Sequence, residues 1–407
     1  MTAIKFIKDG GVTTTPGFLA SGVHCGIRKN KIKRDLALIL AEDICNAAAV
    51  YTTNKVKAAP IYLTMENLKN GKARAIIANS GNANACAPGG EEAAKLTATT
   101  LAAQLKIDPT DIIVNSTGVI GVPLPIDAIT AAIPALAQNL SQENAPVTEA
   151  IMTTDTFPKS CAAQVEINGK TVTIGGIAKG SGMIHPNMAT MFAFLTTDCN
   201  ISTEMLQQAV KASADATYNC ISVDGDTSTN DMTAILASGK AGNPEITTPN
   251  ADYQAFLAAL NAVNLHLAKE IARDGEGATK LITCKVTGAK DAANAIILAK
   301  GVISSSLVKA AMFGEDANFG RVLCALGYSG GEFNPATVDF SYVSENGRLP
   351  MCKQSRGLAF DEETAKKVLS HKEITIEIKL NNGSSSATAY GCDLTYDYVK
   401  INGDYRT

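Results

Sequence analysis

The stretch Lys179–Asp198, KGSGMIHPNMATMFAFLTTD, joins two kinds of sequence. A flexible, Gly-rich, Pro-containing run ends at Ala189. From Thr190 onward the chain turns into Met191, Phe192, Ala193, Phe194 and Leu195, a short apolar run of β character. A hydroxyl therefore stands where a turn meets a buried strand. A threonine in that position can cut the peptide bond before itself and then use its freed α-amine as the base. Taken alone, a strand-opening threonine is the ordinary reading, and the wider chain decides between the two.

At 407 residues the chain is too long for one small core, and two domains or lobes are expected. Hydrophobic residues make up 46% and charged residues 18%, the composition of a globular protein rather than a disordered one. A net charge of -3 gives no reason to expect nucleic acid or an anionic membrane as partner. No apolar run approaches the roughly 18–20 residues of a membrane span, and the N-terminal segment lacks a signal-peptide core. A cytoplasmic protein is expected. The ten cysteines are scattered without CxxC pairs or zinc-type spacing, so most read as small buried hydrophobes. His185 reads as a turn or packing residue rather than a general base.

Working outward, Leu36–Glu42 and Ala47–Thr52 read as strands flanking a turn at Asp43, and Ala73–Ala78 as another strand. The run Asn79–Gly90 (NSGNANACAPGG) cannot pack as a regular element; it either lines a pocket or leads as a plain loop into a helix. Glu92–Leu105 is a helix with Ala93, Leu96, Leu101 and Leu105 inward, and a second apolar face follows at Ile126, Ile129, Ile133 and Leu136. Asn139–Val147 reads as an exposed connection. Val165–Ile167 and Val172–Ile174 alternate around Asn168-Gly169, a hairpin signal. Beyond the junction, Ser202 or Thr203 caps a helix, Asp224–Asp231 is an acidic loop without a full calcium-hand pattern, and Ala251–Arg273 is the longest helix. Ile374, Ile376, Ile378 and Leu380 alternate strictly before a turn at Asn382-Gly383. The fold class is α/β (α+β): antiparallel sheets covered by helices.

Eight segments then accumulate in order: TTNKVKAAP (Thr52–Pro60), NSGNANAC (Asn79–Cys86), STGVIG (Ser116–Gly121), MTTDTFPK (Met152–Lys159), AKGSGMIHPNMATM (Ala178–Met191), RDGEGATK (Arg273–Lys280), GEDANFGR (Gly314–Arg321) and NGDYRT (Asn402–Thr407). The chain carrying them resembles the ArgJ family, the bifunctional glutamate N-acetyltransferase/ornithine acetyltransferases of arginine biosynthesis. The resemblance implies a layered sandwich of the DmpA/ArgJ type, similar to N-terminal-nucleophile enzymes. It also implies self-cleavage between Ala189 and Thr190, giving an α chain of residues 1–189 and a β chain of residues 190–407, assembled as an α2β2 heterotetramer. By the same resemblance Thr190 is the nucleophile, Thr117 and Gly118 form the oxyanion hole, and Thr153, Lys179, Thr190, Glu276, Asn402 and Thr407 contact substrate. No metal and no cofactor are implied; N2-acetylornithine and glutamate are the small-molecule substrates, with acetyl-CoA as a further co-substrate of the bifunctional members.

The residues suit that chemistry. The α-amine freed at Thr190 has a reference pKa near ~7.7–8.0, so a useful fraction is neutral around pH 7 and no separate His or Asp is needed. Thr117-Gly118 can offer a hydroxyl and a backbone N–H to a tetrahedral oxyanion. Alone, STG reads as a β-turn, and Lys179 and Glu276 as solvated charges; the resemblance promotes them. The rival enzyme reading is a self-processing amidohydrolase or aminopeptidase that passes the acyl group to water.

Overall fold

In the computed structural model, residues 3–28, 30, 32–185 and 191–404 are described. Two compact units emerge, each built from separate pieces of chain: the first from residues up to Gly180, Pro186–Asn219 and Thr227–Ile271, the second from Ser181–His185, Cys220–Asp226 and Ala272 onward.

Among the described residues, the first unit is organised on a nine-stranded sheet. Its order runs Lys5–Ile7, Lys159–Ile167, Lys170–Lys179, Phe192–Thr197, Met232–Ala237, Leu36–Tyr51, Lys72–Asn82 and Ile112–Val119, with Phe18–Val23 pairing the Leu36–Tyr51 strand. Most pairs are antiparallel; Phe192–Thr197 with Met232–Ala237, and Lys72–Asn82 with Ile112–Val119, are parallel. Both faces are covered, and the two-residue period of a strand shows how. Leu36 and Leu38 enter one apolar cluster with Leu101, Ile129 and Ile133, while Ala37 and Ile39 enter another with Phe192, Phe194 and Met232. The helix Ala251–Arg273 buries its stripe of Phe256, Leu260, Val263, Leu267 and Ile271 completely. It comes close because Gly176 carries no side chain: a Cβ there would stand 3.0 Å from Leu267 and 2.6 Å from Leu195.

The second unit has a seven-stranded sheet in the order Arg356–Gly357, Gly347–Lys353, Asp339–Ser344, Glu373–Lys379, Leu281–Ala289, Ser385–Cys392 and Ile221–Ser222. Ile374, Ile376, Ile378 and Leu380 point into its core, against the helices Ala292–Ser304 and Phe319–Tyr328. No single helix among the described residues is long and apolar enough to cross a membrane.

Several expectations hold. Asn168 and Gly169 take φ of 52° and 72° and close the hairpin between Lys159–Ile167 and Lys170–Lys179. Ser202 caps the helix Thr203–Ala216 by accepting from the Met205 N–H.

Others are corrected. There is no turn at Asp43: Leu36–Tyr51 is one 16-residue strand whose register shifts between Leu40 and Cys45, so the polar residues bulge outward and pairing resumes. Leu96 is 45% exposed, because the inward face of its helix is filled by Ala93, Ala94, Thr97, Ala98, Leu101 and Ala102. Asn79–Asn82 belong to the end of a strand, and the helix Ala145–Ile151 begins inside the supposed Asn139–Val147 connection. The turn at Asn382-Gly383 does not close a hairpin. The strand Leu281–Ala289 lies between the two arms, parallel to one and antiparallel to the other. Gly383 is needed there for close approach, since a Cβ would stand 2.2 Å from the Ala289 carbonyl oxygen.

Candidate active site

In the first unit the ends of two strands that are not neighbours in the sheet, Ile112–Val119 and Lys170–Lys179, bring Thr117, Gly118 and Lys179 together. Thr117 and Gly118 close the strand Ile112–Val119 opposite Ser80 and Gly81. Gly118 has φ of 135°, and a Cβ on it would stand 2.3 Å from the Gly81 carbonyl carbon and 2.5 Å from the Asn82 nitrogen. Only glycine fits. Lys179 ends the strand Lys170–Lys179, is 7% exposed, and donates from Nζ to Thr117 Oγ1 at 3.3 Å. A hydroxyl that accepts from an ammonium keeps its own proton to donate, so Thr117 is oriented as a donor with a positive charge behind it.

The Asn-rich run is not a plain loop, since Asn79–Asn82 end a strand. Its amides tie the carbonyls around these strand ends: Asn79 Nδ2 donates to Asn82 O at 2.9 Å, Asn82 Nδ2 to Val122 O at 3.1 Å, and Asn84 Nδ2 to Gly90 O at 2.8 Å. Asn230 Nδ2 donates to both Ala83 O and Ser116 O at 2.6 Å. Buried backbone acceptors thereby find partners without a ladder.

Thr153 joins this arrangement through Asp155, a residue that sequence reasoning did not single out. Asp155 accepts from the Thr153 N–H at 2.9 Å, the Gly180 N–H at 2.8 Å and Lys159 Nζ at 2.7 Å, with both side chains of the Asp155–Lys159 pair fully buried. Burial would raise its pKa, but the Lys159 and Lys179 charges and these donors outweigh it and hold the carboxyl at about 2. The Thr153 carbonyl in turn accepts from Arg28 Nη2 at 3.1 Å. The available signal was an acid four residues before a lysine inside one of the matching segments.

Two further features stand beside the junction. Met191, 2% exposed, has φ of 141°, a conformation that costs a non-glycine residue about 1–3 kcal/mol. Asp231 is 3% exposed. Burial pushes its pKa well above the usual carboxylate range, against the lowering influence of Lys179, Ser228 and the Met191 N–H. Its Oδ2 has no hydrogen-bond partner among the described residues. The expected cleavage position Ala189–Thr190 lies outside the described residues, so of the expected nucleophile only its neighbour Met191 is placed.

In the second unit Glu276 and Asn402 meet. Glu276 is 7% exposed, donates its N–H to Ser181 O at 3.1 Å, and accepts from Asn402 Nδ2 at 2.7 Å. Its carboxyl fits because residue 182 is glycine: a Cβ there would be 2.4 Å from the carboxylate. Asn402 rides on the helix Tyr396–Gly403, which Thr395 caps while donating to Gly277 O at 2.7 Å. Asp224 accepts the N–H groups of Met183 at 2.7 Å and Ile184 at 2.9 Å. His185 Nδ1 lies 3.0 Å from Ser222 Oγ, and burial, then the Lys300 charge, lower its pKa to about 4, so it is neutral near pH 7. Thr407 lies outside the described residues.

The ArgJ family profile matches residues 19–407. The chain belongs to the ArgJ family. This ArgJ-family chain is 51% identical over 409 residues to the arginine biosynthesis bifunctional protein ArgJ 1 of Clostridium acetobutylicum, covering 100% of both. It is 55% identical over 402 residues to that of Symbiobacterium thermophilum, covering 98% of this chain and 99% of the relative. A crystal structure of the arginine biosynthesis bifunctional protein ArgJ from Bacillus halodurans is similar with a TM-score of 0.50 and 47% identity, covering 53% of this chain and 99% of that one. The fold is that of ArgJ, and the chain is an ArgJ-type enzyme of arginine biosynthesis.

Proposed function

We propose that this ArgJ-family enzyme cuts itself between Ala189 and Thr190 and moves an acetyl group from N2-acetylornithine to glutamate through an acetyl ester on Thr190. The observation that carries the reading is the Lys179–Thr117–Gly118 cluster, a hydroxyl and a backbone N–H with a buried ammonium behind them. Such donors lower the barrier where negative charge develops, and the loss of one costs about 10²–10³ in rate.

The Thr190 hydroxyl oxygen attacks the acetyl carbonyl while its own α-amine takes the proton. The amide C–N bond breaks, and ornithine leaves with that proton. The glutamate α-amine then attacks the ester, its proton passes back, and the C–O bond to Thr190 breaks. Both half-reactions pass through an oxyanion at the same donors. Lys179 suits a substrate carboxylate, and Glu276, held by Asn402, suits an amino group. The substrate roles of Thr153 and Thr407 complete the set.

The relatives' name, bifunctional, supports acetyl-CoA as a second donor in the same cycle. A relative whose solved chain is accounted for by 53% of this one supports a precursor that becomes two chains, 1–189 and 190–407. An α2β2 assembly in the cytoplasm belongs to the same proposal.

Denaturing electrophoresis of purified protein should give two bands, with an N-terminal sequence of Thr-Met-Phe-Ala on one. Thr190→Ala should give one uncut band and no measurable transfer. Supplying acetyl-CoA and glutamate without acetylornithine should yield acetylglutamate. Release of free acetate in place of acetylglutamate would make the protein an amidohydrolase instead.

A further inference from the structure

We infer that Asn230 is a positioning residue for acetyl transfer: its side-chain amide closes a ring of hydrogen bonds around Thr117 and Gly118 and so aims their donors. The inference rests on the oxyanion reading of Thr117 and Gly118 given above.

The ring can be followed atom by atom. Asn230 Nδ2 donates to Ser116 O and to Ala83 O, each at 2.6 Å. Ala83 in turn donates its N–H to Val119 O at 2.9 Å. Ser116, Thr117, Gly118 and Val119 complete the circuit through the chain itself. One side chain therefore ties the residue before the pair to the residue after it, with Ala83 as the intermediate. The pairing of Lys72–Asn82 with Ile112–Val119 shifts register at Asn82, beside Thr117 and Gly118, so the ladder alone does not fix their geometry.

The chemistry of an amide suits this link. Asn230 is buried, both of its amide hydrogens go to carbonyls, which can only accept, and its Oδ1 accepts from Thr229 Oγ1. Its partners thereby settle which way the amide faces. Ser116 is held at its other polar atoms as well: its N–H donates to Asn115 Oδ1 at 2.9 Å and its hydroxyl to Asn79 Oδ1 at 2.6 Å. The Ser116 carbonyl and the Thr117 N–H share one planar peptide, so gripping the carbonyl sets the plane from which Thr117 departs. Turning that plane would swing the Thr117 hydroxyl away from Lys179 Nζ, from which it accepts at 3.3 Å. Donors aimed at a developing oxyanion lose about 10²-fold in rate when misplaced by about 1 Å.

The test measures kcat and KM for transfer from N2-acetylornithine to glutamate. It uses purified enzyme that is folded by circular dichroism and processed as the wild type is on denaturing gels. Asn230→Ala should lower kcat by about 10- to 100-fold and leave KM for both substrates nearly unchanged. Because the amide acts through Thr117 and Gly118, adding Asn230→Ala to Thr117→Ala should cost clearly less than the product of the two single losses. Asn230→Ser, which keeps one donor hydrogen, should fall between Asn230→Ala and the wild type. Wild-type kcat in Asn230→Ala, or a rise in KM at constant kcat, overturns the assignment. So does a double variant slowed by the full product, the result that a merely structural role gives. If Asn230→Ala does not fold or process, Asn230→Ser decides by the same criteria, alone and combined with Thr117→Ala. Wild-type kcat in Thr117→Ala would instead overturn the oxyanion reading itself.

Discussion

The two units place their candidate site residues by different means. In the first, Thr117, Gly118 and Lys179 sit at strand ends locked by buried charge and amide networks: Asp155 with Lys159, and Asn230 with two carbonyls. In the second, Glu276 and Asn402 meet through one hydrogen bond between a Gly-containing turn and a short C-terminal helix. The glycines make the contrast concrete. Beside Gly118 stands backbone, which cannot yield; beside Gly182 stands the end of a flexible carboxyl side chain, which can. Groups that meet a developing charge need fixed geometry, whereas groups that grip substrate tolerate adjustment.

The sharpest way to break this contrast is to add the same methyl group in both places. Gly118→Ala should cost above about 4 kcal/mol and leave chain that neither folds stably nor cuts, read by thermal melting and electrophoresis. The buried pair comes next. Lys159→Met leaves Asp155 short of its nearest charge and should destabilise by about 3–5 kcal/mol. Its pH behaviour has a definite sign. Asp155 has a folded pKa of about 2, below its unfolded value, so its contribution is present above pH ~4 and is lost as pH falls toward 2. The stability gap between wild type and Asp155→Asn should therefore shrink over that window in denaturant melts.

Thr117→Ala should lower kcat by about 10²–10³ for both acetyl donors and leave KM nearly unchanged. An unaltered kcat would remove Thr117 from the oxyanion role. The smallest effect belongs to the second unit. Gly182→Ala should displace the Glu276 carboxyl, raise KM by about tenfold at nearly constant kcat, and melt near the wild-type temperature. A fall in kcat as large as that of Thr117→Ala would erase the distinction between the units.

Much of this was legible in the chain. Periodicities found the Ala251–Arg273 helix and the alternating isoleucines of the second sheet, because burial imposes those patterns wherever the elements go. The hairpin at Asn168-Gly169 was legible because its turn demands positive φ from adjacent residues. Asn382-Gly383 looked much the same and was not a hairpin, since a turn signal does not say which strand enters between the arms. Asp155 and Asp231 were missed for a related reason: an acid in a polar loop reads as solvated until its burial is known.

By itself the sequence determined the family, the element types and the place where a hydroxyl meets an apolar strand, all of which depend on residues near one another along the chain. Only the tertiary structure decided that Lys179 lies behind Thr117, that Asp155 binds Thr153 to Gly180, and that Asp231 is buried. These contacts join distant residues, and the charges at them are set by desolvation and neighbours that no local pattern encodes.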